Sequence, residues 1–124
     1  MSVFEWASTP DAEGRICFDP SWNQGRGIYG GIPAAAMVRQ MMRTLNRPEC
    51  ILRSLTVHFC RPIEATDGHV GVQSIRVGKR VAHMTAQVRQ SSEVVCHASA
   101  SFAASRDVDL RWQQGPMPMV RPAD

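Results

Sequence analysis

The residues with the clearest chemical potential are two adjacent glycines in front of a helical pattern. Gly30 and Gly31 close a turn-rich segment, 19–31, and precede apolar residues that recur at helical spacing. The first turn of a helix carries free N–H groups and the positive end of the helix dipole, which together attract a negatively charged oxygen. Pro33 has no N–H, so Gly31 and Ile32 are the better candidate donors. Alternatively, the glycines serve only to make the turn from loop to helix.

A side chain that could activate water is harder to find near these glycines. The interval from Pro20 to Arg47 contains no Asp or Glu. Asp19 lies just before this interval and Asn23 lies within it, so either side chain could assist a reaction at the start of the helix. Both residue types are also typical of turns and helix caps, and a purely structural role is the alternative for each.

His58 is a second candidate base, because histidine titrates near neutral pH. It lies in a segment of alternating apolar and polar residues, in which Val57 and Phe59 are expected to face the helix. Alternation then directs His58 to the opposite face of the sheet, as an outward or interface residue. A bulge in this strand would reverse that orientation.

Three cationic residues fall within five positions at a predicted hairpin tip, namely Arg76, Lys79 and Arg80. Arginine makes planar, bidentate contacts with phosphate groups, so this cluster could hold phosphates. A solvated, charged turn is the alternative. The remaining basic residues are scattered and the net charge is only +3, so the sequence does not indicate a nucleic-acid partner.

One helix and several strands must position these residues. Helical spacing runs from Ala34 to Leu45, with Pro33 suited to the first turn and Asn46 to the end. The period then changes to two, and the predicted strands are 15–18, a segment from Ile51 that ends before Pro62, 69–77, 81–90 and 94–103. This order predicts an α+β fold, an antiparallel sheet wrapped around one helix. One helix covers only one face, so the edges and the other face require a second copy or another domain.

Length and composition exclude several classes of protein. A chain of 124 residues with 44% hydrophobic and 20% charged residues predicts one folded domain rather than a disordered segment. No apolar run approaches the ~18 residues of a membrane span, and the first residues lack the pattern of a secretory signal. We therefore expect a cytoplasmic protein without a membrane span. The four cysteines show no metal-ligand spacing, which predicts reduced thiols, mostly packed, and no metal site or cofactor.

Three segments together resemble a known family. They are the entry to the helix from Trp22 to Gly31, the strand SLTVHFCRP from Ser54 to Pro62, and the hairpin RVGKR from Arg76 to Arg80. In this order they resemble the thioesterase-like hot dog proteins around acyl-CoA thioesterase II, over residues 19–102. The resemblance implies a hot dog fold. Members typically carry two such domains in one chain, and this sequence looks like the first of the two.

The resemblance also implies a domain organisation and a site. Residues 1–104 form a single hot dog domain, and 105–124 form an irregular, proline-rich tail similar to an inter-domain linker. A thioester carbonyl would lie at the start of the helix, beside Gly31 and Ile32. The residues that would contact the rest of the substrate are Asn23, Tyr29 and Gly30, with Arg76, Lys79 and Arg80 at the phosphates of coenzyme A.

Many hot dog thioesterases carry an Asp or Glu on or beside the central helix, and the predicted helix here has none. In the two-domain relatives the acid, with its Thr and Gln helpers, looks to be supplied by the second half. Asp19 and His58 are the remaining candidates here. The sequence therefore predicts acyl-CoA thioester hydrolysis or thioester binding by one half of a paired unit, either a homo-oligomer or a complex with a second hot dog half. The alternative is a non-catalytic half or interaction module that completes a partner's active site.

Overall fold

The computed structural model describes residues 1–123. Two α-helices, seven β-strands and one 3₁₀ turn follow each other along this part of the chain. The order is α1 (Val3–Ala7), β1 (Arg15–Cys17), the 3₁₀ turn (Pro20–Trp22), β2 (Asn23–Gln24), β3 (Gly27–Ile28), α2 (Gly31–Leu45), β4 (Cys50–Phe59), β5 (Asp67–Val77), β6 (Val81–Gln90) and β7 (Glu93–Ala104).

The helix α2 is the central element and confirms the predicted helical segment. It begins at Gly31, two residues before Pro33, because Gly30 takes the cap position with helical dihedral angles. Its buried face consists of Ile32, Pro33, Ala36, Met37, Gln40 and Met41. It ends at Asn46, whose left-handed backbone (φ 49°) allows its N–H to donate to the carbonyl of Met42 at 2.9 Å.

Five strands form one antiparallel sheet in the order β1-β5-β6-β7-β4. α2 lies mainly across β5 and β6 and reaches β7 less. Large buried side chains from both layers meet between them, among them Met37, Met41, Met84, Val88 and Phe102. The α+β architecture predicted from the sequence, an antiparallel sheet wrapped around one helix, is confirmed.

The strand β4 forms one edge of this sheet and is poorly covered. Its residues Leu55, Val57 and Phe59 pair with Ala100, Ala98 and Cys96 of β7, which are buried beneath the helix. They therefore share the helix-facing side of the sheet, together with Leu52. Nevertheless, Leu52 is 38% exposed, Leu55 37% and Phe59 56%. We call Leu52, Leu55, Val57 and Phe59 the β4 apolar stripe.

Four short elements fall outside the predicted helix and strands, namely α1, the 3₁₀ turn, β2 and β3. α1 is a single turn capped by Ser2, whose hydroxyl accepts the N–H of Glu5 while the Glu5 carboxylate accepts the N–H of Ser2. β2 and β3 form a two-residue ribbon inside the segment expected to be a loop. The ribbon is anchored because the N–H of Ile28 donates to the carbonyl of Ile63 at 2.9 Å.

The described segment after β7 has no regular secondary structure, and the four cysteines divide into two buried and two exposed. β7 ends at Ala104, and residues 105–123 form neither helix nor strand. Cys50 and Cys96 are buried, and burial raises the pKa of the Cys96 thiol to about 11. Cys17 and Cys60 are exposed, so only half of the cysteines are packed where most were expected. Within residues 1–123, no helix is both long and apolar enough to cross a lipid bilayer.

Candidate functional site

The start of α2 is flanked by two aromatic rings that only glycine allows so close. A Cβ atom on Gly31 would lie 2.5 Å from Cε1 of Tyr29, and one on Gly30 would lie 2.8 Å from Cζ of Phe59. Both rings are partly open to solvent, with Tyr29 42% and Phe59 56% exposed. The glycine pair therefore lets two rings border the first turn of the helix.

Within the described part of the chain, some backbone N–H groups of this turn are already hydrogen-bonded, and others are free to bind a ligand. The N–H of Ile32 donates to the carbonyl of Tyr29 at 3.0 Å, and the N–H of Ala34 donates to the carbonyl of Gly30 at 3.2 Å. The N–H groups of Gly30 and Gly31 make no hydrogen bond to any residue in the range 1–123. Of the two donors expected from the sequence, Ile32 is thus already engaged, and the free donor is Gly31.

Asp19 lies before the helix but its carboxylate has a structural partner. It caps the 3₁₀ turn by accepting the N–H of Ser21 at 2.8 Å. Hydrogen bonds from Ser21, first from its side chain and then from its backbone, lower the pKa of this carboxyl. A carboxylate stabilised in this way is a weak base at neutral pH. Asn23 follows the same turn as its C-cap and opens β2, where it pairs with Ile28.

His58 lies on the side of the sheet that faces away from α2. It pairs with His97 of β7, and the two ring centroids are 6.1 Å apart. β4 does contain a bulge, but it falls between Leu52 and Ser54, before His58, and leaves the alternation from Leu55 to Phe59 intact. The structure therefore does not bring the His58 imidazole to the start of the helix within this chain.

The cationic hairpin lies at the other end of the helix. Arg47, just after α2, donates to the carbonyls of Gly78 at 2.8 Å and Lys79 at 2.6 Å, which fixes the turn between β5 and β6. The 15 residues of α2 span about 22 Å at the usual rise per residue. Arg76, Lys79 and Arg80 are thus separated from Gly31 of the same chain by about the length of the helix.

A basic cleft that the sequence did not indicate opens beside Phe59. It has a volume of about 330 Å³ and is lined by Gln24, Arg26, Gly27, Ile28, Phe59, Arg61, Pro62 and Ile63. Arg26 stands in the turn of the β2–β3 ribbon, and Arg61 follows β4. In the sequence, the cleft is marked only by Arg26 between Gly25 and Gly27. An arginine between two glycines is too common a pattern to predict a binding site.

Residues 18–103 match the family described as the acyl-CoA thioesterase N-terminal domain. This chain belongs to that family. The match covers α2 and the strands β4 to β7, all but β1 of the five-stranded sheet, and confirms the resemblance to hot dog thioesterases. No curated protein sequence matches the chain significantly.

Solved structures share the fold of this thioesterase-family domain. A hot dog protein of unknown function from Alicyclobacillus acidocaldarius is 26% identical with a TM-score of 0.79, over 98% of this chain and 47% of that one. A Bacillus halodurans protein solved with CoA is 22% identical, with a TM-score of 0.67, over 76% of this chain and 67% of that one. An acyl-CoA thioesterase II from Mycobacterium marinum is 24% identical, with a TM-score of 0.58, over 70% and 33%. The chain spans about half the length of the Alicyclobacillus protein.

The arrangement supports polarisation of a carbonyl better than it supports proton transfer. The free amide of Gly31 and the helix dipole both favour negative charge at this point. Among residues 1–123, no hydrogen bond brings a carboxylate side chain to the first turn of α2. Within residues 1–123, the start of α2 therefore presents a free hydrogen-bond donor with no carboxylate bonded beside it.

Proposed function

We propose that this domain binds acyl-CoA thioesters as one half of a paired hot dog unit, and that efficient hydrolysis requires a group from outside the domain. The observation that carries the proposal is the free N–H of Gly31 at the start of α2, between the rings of Tyr29 and Phe59. The carbonyl oxygen of a thioester could accept a hydrogen bond from this N–H. That hydrogen bond becomes stronger as negative charge develops on the oxygen during the reaction. Removing one such donor from an enzyme typically costs about 10²–10³-fold in rate.

The edge strand β4 supports pairing. Its outer edge has no neighbouring strand among residues 1–123, and the β4 apolar stripe lies exposed beside it. A second hot dog domain that pairs antiparallel along β4 would extend the sheet and cover the stripe. The second copy is the occupant we propose for the isolated chain, and a second hot dog half is the equivalent occupant in a longer protein.

Antiparallel pairing would also change what the cationic hairpin can reach. A two-fold axis between two β4 strands reverses the direction of the partner's helix. The hairpin end of one domain then lies beside the Gly31 end of the other. We propose that Arg76, Lys79 and Arg80 serve a partner's site in this way, since α2 separates them from Gly31 of their own chain.

The absence of a local base is the reason to expect slow turnover. A positioned general base typically supplies about 10²–10⁴-fold in rate. Asp19 is engaged as a cap and His58 faces away from α2. We therefore expect binding of acyl-CoA to be easier to detect than its hydrolysis. A non-catalytic half that completes a partner's active site is the second candidate, and the same lack of an acid near Gly31 favours it.

The test is a panel of acyl-CoA substrates of different chain lengths, with binding, hydrolysis and particle mass measured on one sample. We expect saturable binding, a particle of at least two chains, and turnover well below one per second. Saturable binding with no hydrolysis at all would favour the non-catalytic half. A stable monomer at micromolar concentration that binds none of the panel would contradict the proposal.

A further inference from the structure

The basic cleft beside Phe59 is adjacent to the start of α2. Phe59 lines the cleft, and its ring is the one that lies against Gly30. A ligand whose reacting carbonyl lies at Gly31 can therefore extend past Phe59 into the cleft without leaving the surface of one domain.

The lining of the cleft is positively charged. Arg26 and Arg61 both line it, and none of the lining residues is acidic. The exposed side chain of Arg26 makes no hydrogen bond or ion pair with any residue in the described range 1–123. Arg61 pairs with Glu93, but both side chains are more than half exposed, and exposed ion pairs of this kind are weak enough for an anion to compete.

The backbone holds Arg26 in place although its side chain is free. Gly25 and Arg26 form the two-residue turn of the β2–β3 ribbon, and Gly25 has the positive φ (+65°) that such turns require. The next residue packs tightly, since a Cβ on Gly27 would lie 3.0 Å from the N atom of Ile63. The ribbon is thus fixed against the segment after β4, and Arg26 is presented from a rigid turn.

We propose that Arg26, assisted by Arg61, binds a phosphate group of the coenzyme A moiety. This inference rests on the proposed function, because it takes the acyl-CoA thioester to lie at Gly31. Two guanidinium groups without a competing carboxylate in the lining suit a phosphate, which they contact through bidentate, charge-assisted hydrogen bonds. A cleft of about 330 Å³ accommodates part of the nucleotide end rather than the whole cofactor-sized group.

The experiment compares three thioesters that carry the same acyl group: acyl-CoA, acyl-dephospho-CoA without the 3′-phosphate, and acyl-pantetheine without any phosphate. Their dissociation constants are measured with the wild-type chain, with Arg26→Gln, and with Arg106→Gln as a control that removes one positive charge from the tail. Thermal unfolding shows whether each variant is folded.

Arg26→Gln is expected to weaken acyl-CoA binding about tenfold, the effect of a lost hydrogen bond to a charged group, and to leave acyl-pantetheine binding unchanged. Arg106→Gln leaves all three unchanged. If the loss persists with acyl-dephospho-CoA, the pyrophosphate is the partner of Arg26. If the loss disappears there, the partner is the 3′-phosphate.

Equal affinity of the wild type for acyl-CoA and acyl-pantetheine would overturn this inference and leave the proposed function standing. The same result follows if Arg26→Gln weakens binding of acyl-CoA and acyl-pantetheine equally, or if it leaves binding of both unchanged. Failure of the wild-type chain to bind any of the three thioesters would instead overturn the proposed function.

Discussion

At the residue scale, the first turn of α2 combines a free backbone amide with two neighbouring aromatic rings. Gly30 and Gly31 leave room for the rings of Phe59 and Tyr29, while the N–H of Gly31 stays free. The sequence indicates this place because two glycines precede a helical pattern. It does not indicate which amide is free, because the bond from Ile32 to the carbonyl of Tyr29 depends on how the preceding loop folds.

Neither Asp19 nor His58 is expected to act as the catalytic base. We expect Asp19→Asn and His58→Ala each to leave the residual hydrolysis rate within about twofold of the wild type, since neither acts as the base and a positioned base would be worth about 10²–10⁴-fold. Asparagine is also a good capping residue, so Asp19→Asn preserves the 3₁₀ turn. Initial rates with one saturating acyl-CoA provide the measurement.

Two results would contradict this assignment. Turnover of several per second that is lost in Asp19→Asn would show that the capping carboxylate also activates water. Turnover that survives Asp19→Asn but is lost in His58→Ala would show that His58 reaches the reacting group, for example across an interface. Circular dichroism of both variants separates a lost function from a lost fold.

At the element scale, the long periodic segments were predictable and the short ones were not. α2 and strands β4 to β7 carry clear periods of 3.6 and two residues, so their types and order follow from the sequence. β2 and β3 are two residues each, too short to show any period. α1 is a single turn with no apolar period to indicate it, although the pair Ser2 and Glu5 has the spacing of a capping box.

In β4, the sequence predicts which way the side chains point but not how well they are covered. Alternation is interrupted between Leu52 and Ser54, yet Leu55, Val57 and Phe59 keep the orientation that a regular strand predicts. The alternation from Leu55 to Phe59 lies beyond the bulge, so the bulge does not change the predicted orientation of these side chains. Coverage by the helix, in contrast, cannot be read from a period, and it is the lack of coverage that exposes the β4 apolar stripe.

Disrupting this stripe tests the pairing of domains. Leu55 lies in the middle of β4 and is 37% exposed. Fully burying a leucine side chain contributes ~1.5–3 kcal/mol, so burying a charged lysine in its place strongly disfavours association. We expect Leu55→Lys to shift the particle to a monomer in sedimentation velocity at micromolar concentration.

Ile75→Lys is the matched control for that change. Ile75 is an apolar residue of β5 that is 59% exposed and lies away from the β4 edge. It should leave the particle mass unchanged. An unchanged mass for a folded Leu55→Lys protein, or equal dissociation of both variants, would show that pairing does not use β4.

At the scale of the whole molecule, the two ends of α2 carry different parts of the proposed chemistry. The free amide, the aromatic rings and the basic cleft lie at its start, whereas the hairpin with Arg76, Lys79 and Arg80 lies at its end. A monomer keeps these ends about one helix length apart. Under the proposed antiparallel pairing along β4, the hairpin end of one domain would lie beside the Gly31 end of the other, so that the partner would add its cationic hairpin to the site.

Two apolar surfaces of the described residues lie open to solvent. Beyond β7, the tail from residue 105 to 123 exposes Val108, Leu110 and Trp112. The β4 apolar stripe is exposed as well. Both are apolar surfaces that a paired domain would cover under the proposed function.

The most direct test of the account is the affinity of acyl-CoA for Gly31→Val, measured by isothermal titration calorimetry beside Gly115→Val. A side chain at Gly31 displaces the ring of Tyr29 and blocks the approach of a carbonyl to the free amide, whereas a Cβ at Gly115 meets no atom within 4 Å. We predict that folded Gly31→Val loses measurable binding while Gly115→Val binds as the wild type does. Unchanged acyl-CoA affinity in folded Gly31→Val would contradict the placement of the thioester at the start of α2.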